Sequence, residues 1–161
     1  MKLTSKMMLL AMAAACAGLL GAALYAQQVL GMLPCPYCVL IRYVFALIGI
    51  FSLLAAFITP LRKSLCCLNS VLALAGVGMS AKLWYVQNYP ANSCGIDPVE
   101  NVLNKFFISD WFPLMFKSMG FCETPYDPIL GLSIPSWTLL GSLGFALIFI
   151  WLAFRSATQA K

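Results

Sequence analysis

The chain contains no histidine. That removes the commonest haem ligand and the usual general base, and argues against a b-type cytochrome or a histidine-ligated metal oxidase. Charge is nearly as scarce: 9% of the residues are charged, and only five are acidic. Meanwhile 62% of the 161 residues are hydrophobic, more than a water-soluble domain of this length could hide. The composition therefore points to an integral membrane protein. The net charge of +5 does not indicate nucleic acid, because the basic residues are dispersed along the chain rather than gathered into a patch.

Apolar residues, by contrast, come in long runs. Four stretches reach the roughly 20 residues that a helix needs to cross a bilayer: 7–27, 39–58, 65–86 and 135–154. Segment 28–38 joins the first two, and a tight turn with Pro60, Arg62 and Lys63 joins the second and third. Segment 87–134 is too long to be an idle connection. The sequence thus predicts one all-α membrane domain over 1–161, a bundle of four transmembrane helices with a long loop. Lys2, Lys6 and the apolar run after them also resemble a signal peptide, and Ala15-Cys16 faintly resembles a lipoprotein processing site. The run is long for a signal sequence, which favours an uncleaved first helix.

The few charges set an orientation. Lys2, Lys6, Arg62, Lys63, Arg155 and Lys161 fall on one side, while Asp97, Glu100, Asp110, Glu123 and Asp127 all fall in the long loop on the other. By the positive-inside rule both termini are expected in the cytoplasm and segments 28–38 and 87–134 outside, where thiols meet an oxidising compartment. Within the loop, Asp97-Pro98-Val99-Glu100 carries an N-cap, a first-turn proline and an acid at the third position. Val99, Val102, Leu103, Phe106 and Phe107 follow at helical spacing, and Trp111, Phe112, Leu114, Met115 and Phe116 come next. The aromatic density predicts a short helix lying in the membrane interface.

Of seven cysteines, four lie on that outer side: Cys35, Cys38, Cys94 and Cys122. Cys35-Pro36-Tyr37-Cys38 closes so small a ring that a bond between its sulfurs removes little chain entropy. Its value is chemical, one thiol attacking and the other resolving. Glutaredoxins carry the same tetrapeptide but within a βαβ frame, whereas here spanning helices flank it. A zinc site would have to draw on Cys94 and Cys122, and an oxidising compartment favours disulfides instead. Arg42 lies one turn beyond Cys38 on the same helical face. A guanidinium there would stabilise a Cys38 thiolate or donate to the oxygen of a membrane-soluble acceptor, and its alternative role is an arginine snorkelling at a helix end. Lys82, without a neighbouring cysteine in sequence, reads as a snorkelling residue. A Cys94–Cys122 disulfide would close a 29-residue loop, for which chain entropy alone contributes about 3–4 kcal/mol, so a structural staple is a real alternative to a redox pair. Cys16, Cys66 and Cys67 read as apolar fillers or free thiols on the reduced side.

Four spans, an outward C-x-x-C followed by Arg42, two loop cysteines, Gly120-Phe121-Cys122 and Gly131-Leu132-Ser133-Ile134-Pro135-Ser136-Trp137 together resemble the DsbB family of disulfide-bond formation proteins over nearly the whole chain. The resemblance implies a quinone-linked protein-disulfide oxidase of the bacterial inner membrane that reoxidises a periplasmic DsbA-like thiol oxidase. It further implies redox-active disulfides Cys35–Cys38 and Cys94–Cys122, with Cys94 forming the mixed disulfide with the partner and Cys122 as the resolving mate of Cys94. Cys38 would then stand beside ubiquinone or menaquinone, oriented by Arg42. Three features depart from the family pattern: Ile41, where Gln or Glu is usual, Phe121, where an acid commonly precedes the cysteine, and the lack of the histidine that some members carry near the outer end of the third helix. Two other readings compete. A vitamin K epoxide reductase-like protein also joins C-x-x-C chemistry to quinone, but the spacing into Arg42 and the Ser-Ile-Pro-Ser-Trp segment speak against it. A tetraspanin-like scaffold would place its Cys-Cys-Gly in a large outer loop, whereas Cys66-Cys67 is followed by Leu68 on the inner side.

Overall fold

The computed structural model describes residues 2–89, 105, 111–118, 120 and 131–158. Five helices occur among them: α1 (Lys2–Val29), α2 (Pro36–Phe57), α3 (Arg62–Asn88), the single-turn α4 (Pro113–Phe116) and α5 (Ile134–Thr158). Four are long and apolar enough to cross a membrane, over Ser5–Val29, Pro36–Phe57, Arg62–Asn88 and Ile134–Phe154. The protein is a helical, multi-pass membrane protein, as the apolar runs predict. The helix expected from Asp97 onward lies outside the described residues.

Each long helix outruns its apolar core because the flanking residues supply ends that cost little. α1 stops at Gly31, whose φ of 66° turns the chain left-handed. There the N–H groups of Leu30 and Met32 both return to the Ala26 carbonyl, at 3.2 and 3.3 Å. α2 begins at Pro36 rather than near residue 39, because proline at the first helical position loses no hydrogen bond. Arg62 opens α3 and sends its Nε back to the Ala55 carbonyl at 3.1 Å, satisfying one of the acceptors left over at the end of α2. At the start of α5 the Ser133 and Ser136 hydroxyls share a 2.8 Å hydrogen bond, and the Ser136 and Trp137 amides donate to the Ser133 carbonyl.

α1 packs on α2, α2 on α3, and α3 on α5, whereas α1 and α5 share no extensive contact. Leu9, Ile48, Leu83 and Phe149 are fully buried between them. Small residues let the backbones approach: a side chain on Gly49 would meet Cys16, and one on Gly76 would meet the Ser142 hydroxyl at 3.2 Å. Asn69 Nδ2 donates to Ser52 Oγ at 3.1 Å inside the bundle, tying α3 to α2. Cys16 and Cys66 are buried as fillers, and Cys67 is exposed. Phe57, Leu147 and Phe154 stand outward, where lipid rather than protein solvates them. The open flank between α1 and α5 is what positions the site.

Candidate functional site

Cys35 is the N-cap of α2, in extended conformation, with its sulfur accepting from the Cys38 amide at 3.4 Å. Pro36 supplies the fixed φ of the first turn, so Cys38 arrives in that turn with its sulfur 2.9 Å from Cys35 Sγ. A bond between sulfurs is about 2.05 Å long. The two sulfurs are therefore in contact but not at the bonding distance of the disulfide that the family resemblance implies. The loop pair, Cys94 and Cys122, lies outside the described residues.

Arg42 sits one turn further along α2 and is 8% exposed. Its Nη1 donates to Gln27 Oε1 at 2.7 Å and to the Met115 carbonyl at 3.1 Å, and its Nη2 donates to the Ala23 carbonyl at 3.3 Å. All three acceptors are neutral. Among the described residues the guanidinium is thus held by neutral oxygens alone, and in a low-dielectric setting its charge acts strongly on whatever comes next to it.

The three contacts come from two other elements, Gln27 and Ala23 from α1 and Met115 from α4. The Met115 carbonyl belongs to α4, which is fastened to α2 by Phe116: its ring stacks on Tyr43 with centroids 4.2 Å apart and packs on the fully buried Val39. Just beyond, the Gly120 amide donates to the Pro34 carbonyl at 3.1 Å. A Cβ on Gly120 would stand 2.6 Å from the Leu33 carbonyl oxygen, so only glycine fits this approach. The aromatic cluster expected at the interface is therefore divided, with Trp111 and Phe112 exposed and Phe116 turned onto α2. Lys82 lies 5.0 Å over the Tyr37 ring, a cation–π contact with the dipeptide between the two cysteines.

Between α1 and α5, with α2 as its back wall, lies a cavity of about 540 Å³. Its wall is almost wholly apolar, including Leu20, Ile41, Phe45, Pro135, Trp137 and Gly141. The polar exceptions are Gln27, Arg42, Gln87 and Thr138, and both Cys35 and Cys38 reach it. Thr138 spends its hydroxyl on the Pro135 carbonyl at 2.9 Å. Ile41, where the resemblance leads one to look for a polar group, forms buried wall.

The structure thus unites Cys35, Cys38 and Arg42, the three site residues chosen from sequence that it describes. Sequence reasoning missed Gln27, Gln87, the two backbone carbonyls and the partner of Lys82. Gln27 did carry a signal, being a polar side chain at the end of an otherwise apolar run.

Fold and site together define a multi-pass membrane protein with a contacting thiol pair at one end of a helical bundle, beside a buried cation and an apolar cavity. Residues 5–152 match the family model described as disulfide bond formation protein DsbB. Disulfide bond formation protein B of Herminiimonas arsenicoxydans is 41% identical over 152 residues, covering 94% of this chain and 96% of that protein. Its counterpart in Ralstonia nicotianae is 40% identical over 150 residues, with 93% and 94% covered. Disulfide bond formation protein B 1 of Pseudomonas fluorescens strain Pf0-1 is 40% identical over 149 residues, with 91% and 86% covered. The chain belongs to the DsbB family.

Proposed function

We propose that this protein is a membrane protein-disulfide oxidase, a single domain that reoxidises a periplasmic DsbA-like thiol oxidase and delivers the electrons to a membrane quinone. The observation that carries the reading is the shared cavity: the Cys38 sulfur and Arg42 line the same apolar space, open on the flank between α1 and α5. An alkylated ring carrying oxygens suits a lipid-accessible apolar wall with a few convergent polar groups. Ubiquinone or menaquinone, when bound, supplies a two-electron, two-proton sink of high potential. Such a sink is needed, because a DsbA-like partner sits near −120 mV and ordinary structural disulfides lie below about −300 mV.

The protein's own residues do the exchange. The oxidised Cys94–Cys122 bond is attacked by a partner thiolate, giving a mixed disulfide at Cys94 and a thiolate at Cys122. The partner's second thiol displaces Cys94 and leaves the partner oxidised and both loop cysteines reduced. The loop dithiol next opens an oxidised Cys35–Cys38 bond by the same two displacements, regenerating the loop disulfide and leaving Cys35 and Cys38 as thiols. The docking of Gly120 on Pro34 supports this order, since Gly120 precedes Cys122 by two residues and Pro34 adjoins Cys35. Re-forming the Cys35–Cys38 bond releases two electrons and two protons. Cys38 lines the cavity in the first turn of α2, with Arg42 one turn further along the same helix. The charge pattern supports cytoplasmic termini and periplasmic cysteines.

The test uses purified protein in detergent with a chemically reduced DsbA-like partner and a soluble ubiquinone analogue, followed through the absorbance of the oxidised quinone. Catalytic loss of that band, abolished by Cys38→Ser, is the expected result. A scaffold with structural loop disulfides would show no turnover and would tolerate Cys35→Ser better than Cys94→Ser, whereas an oxidase loses turnover with either.

A further inference from the structure

Gln27 has no part in the sequence-based assignment, yet its position is specific. It lies in the last turns of α1, lines the cavity, and makes the shortest hydrogen bond of the Arg42 guanidinium, 2.7 Å from Nη1 to Oε1. Arginine has donors only, so this contact fixes which way the amide is turned: oxygen to Arg42, nitrogen away from it. Among the described residues Nε2 has no acceptor. An amide with its oxygen committed and its two N–H groups spare, in a mostly apolar wall, is placed to donate to an acceptor on whatever occupies the cavity.

We propose that Gln27 is a specificity residue for the quinone reading made above, on which this inference rests. Its Nε2 donates to a ring oxygen of the guest while its Oε1 keeps Arg42 turned towards the same ring. The ligand class that satisfies both groups is an alkylated ring bearing carbonyl oxygens. A purely hydrocarbon guest of equal size would fill the cavity and leave the amide unpaired.

The experiment is an equilibrium titration of the full-length protein with a short-chain ubiquinone analogue, read by quenching of tryptophan fluorescence, since Trp137 lines the cavity. A carbonyl-free alkylaromatic of the same size is titrated in parallel, by its displacement of the quinone analogue. Gln27→Glu keeps length and volume and still accepts from Arg42, but it loses the donor and neutralises the cation. Gln27→Met loses both functions at similar bulk. Loss of one such hydrogen bond is expected to weaken quinone binding about tenfold in either variant. Binding of the carbonyl-free compound should stay unchanged in both, and so should the rate at which Cys35 and Cys38 react with a small soluble disulfide in Gln27→Met, which leaves the charge of Arg42 in place. Either variant binding the quinone analogue like the unaltered protein overturns the assignment. So does equal weakening for both guests, which would make Gln27 mere wall. No saturable quenching in the unaltered protein would overturn the quinone reading itself, and the Gln27 assignment with it.

Discussion

At the scale of single residues, the most constrained group is Arg42, because three oxygens from two other helices, α1 and α4, converge on one guanidinium. A lysine has the same charge but no planar fork, and its single ammonium cannot span Gln27, Ala23 and Met115 at once. Arg42→Lys is therefore expected to raise the apparent KM for a quinone analogue roughly tenfold with a smaller change in kcat, as a positional defect does. Arg42→Ala strands the acceptors as well, and steady-state quinone reduction should fall by roughly a hundredfold or more. Unchanged KM and kcat in Arg42→Ala would remove this residue from the mechanism. Little of this arrangement could be read from sequence. The i to i+4 spacing of Cys38 and Arg42 follows from helical geometry alone, but which face of α1 meets them depends on how that helix is rotated in the bundle. A glutamine at the end of an apolar run has the same composition whether it anchors to headgroups or to a guanidinium.

Among the elements, the four spans were legible because a bilayer demands a long apolar run and every backbone group in it must be paired within its own helix. Their ends were less so. Pro36 reads as a breaker until one asks whether it can sit at a first turn, and Arg62 reads as a loop charge until Ala55 offers it a carbonyl. The loop was harder still: the cluster around Phe116 has the composition of an interfacial segment, and only the groove beside Tyr43 and Val39 draws part of it inward. That docking has a measurable consequence. Gly120→Ala would place a methyl 2.6 Å from the Leu33 carbonyl oxygen, so the segment must shift and the Gly120–Pro34 hydrogen bond must go. Oxidation of the protein partner is expected to slow by roughly tenfold to a hundredfold, the scale of a misplaced reacting group. A small dithiol, which needs no docked loop to reach Cys35, should be oxidised nearly as before. Equal slowing of both in stopped-flow traces would mean that the loop acts on the thiol pair itself.

Across the whole molecule, the bundle is closed along three helix contacts and open along the fourth, between α1 and α5. Lipid-soluble guests therefore need not pass through water to reach Cys38. Gly141 lies on this flank, and a Cβ added there meets no atom within 4 Å. Gly141→Leu should accordingly fold with a melting temperature close to that of the unaltered protein while filling part of the cavity. A quinone analogue should then bind at least tenfold more weakly, since a site that must be cleared costs on the order of 1–3 kcal/mol. Exchange between the cysteine pairs, measured in a single turnover without quinone, should be unaffected. A Gly141→Leu protein with full quinone affinity would place the guest elsewhere.

The sulfur of Cys35 holds the first turn of α2 by accepting from the Cys38 amide, and the same sulfur takes part in the proposed exchange with the loop cysteines. Chemistry at that atom is thus also a change in how the helix is fastened. When Cys35 is joined to a loop cysteine its lone pairs are redirected, the cap is surrendered, and the end of α2 is freer to fray. The Cys38 amide proton becomes an internal clock for the catalytic cycle. Its exchange with deuterated solvent should be slow while Cys35 and Cys38 remain paired with each other and quicken when Cys35 is trapped in a mixed disulfide, with no comparable change at Ile48 in the middle of the same helix.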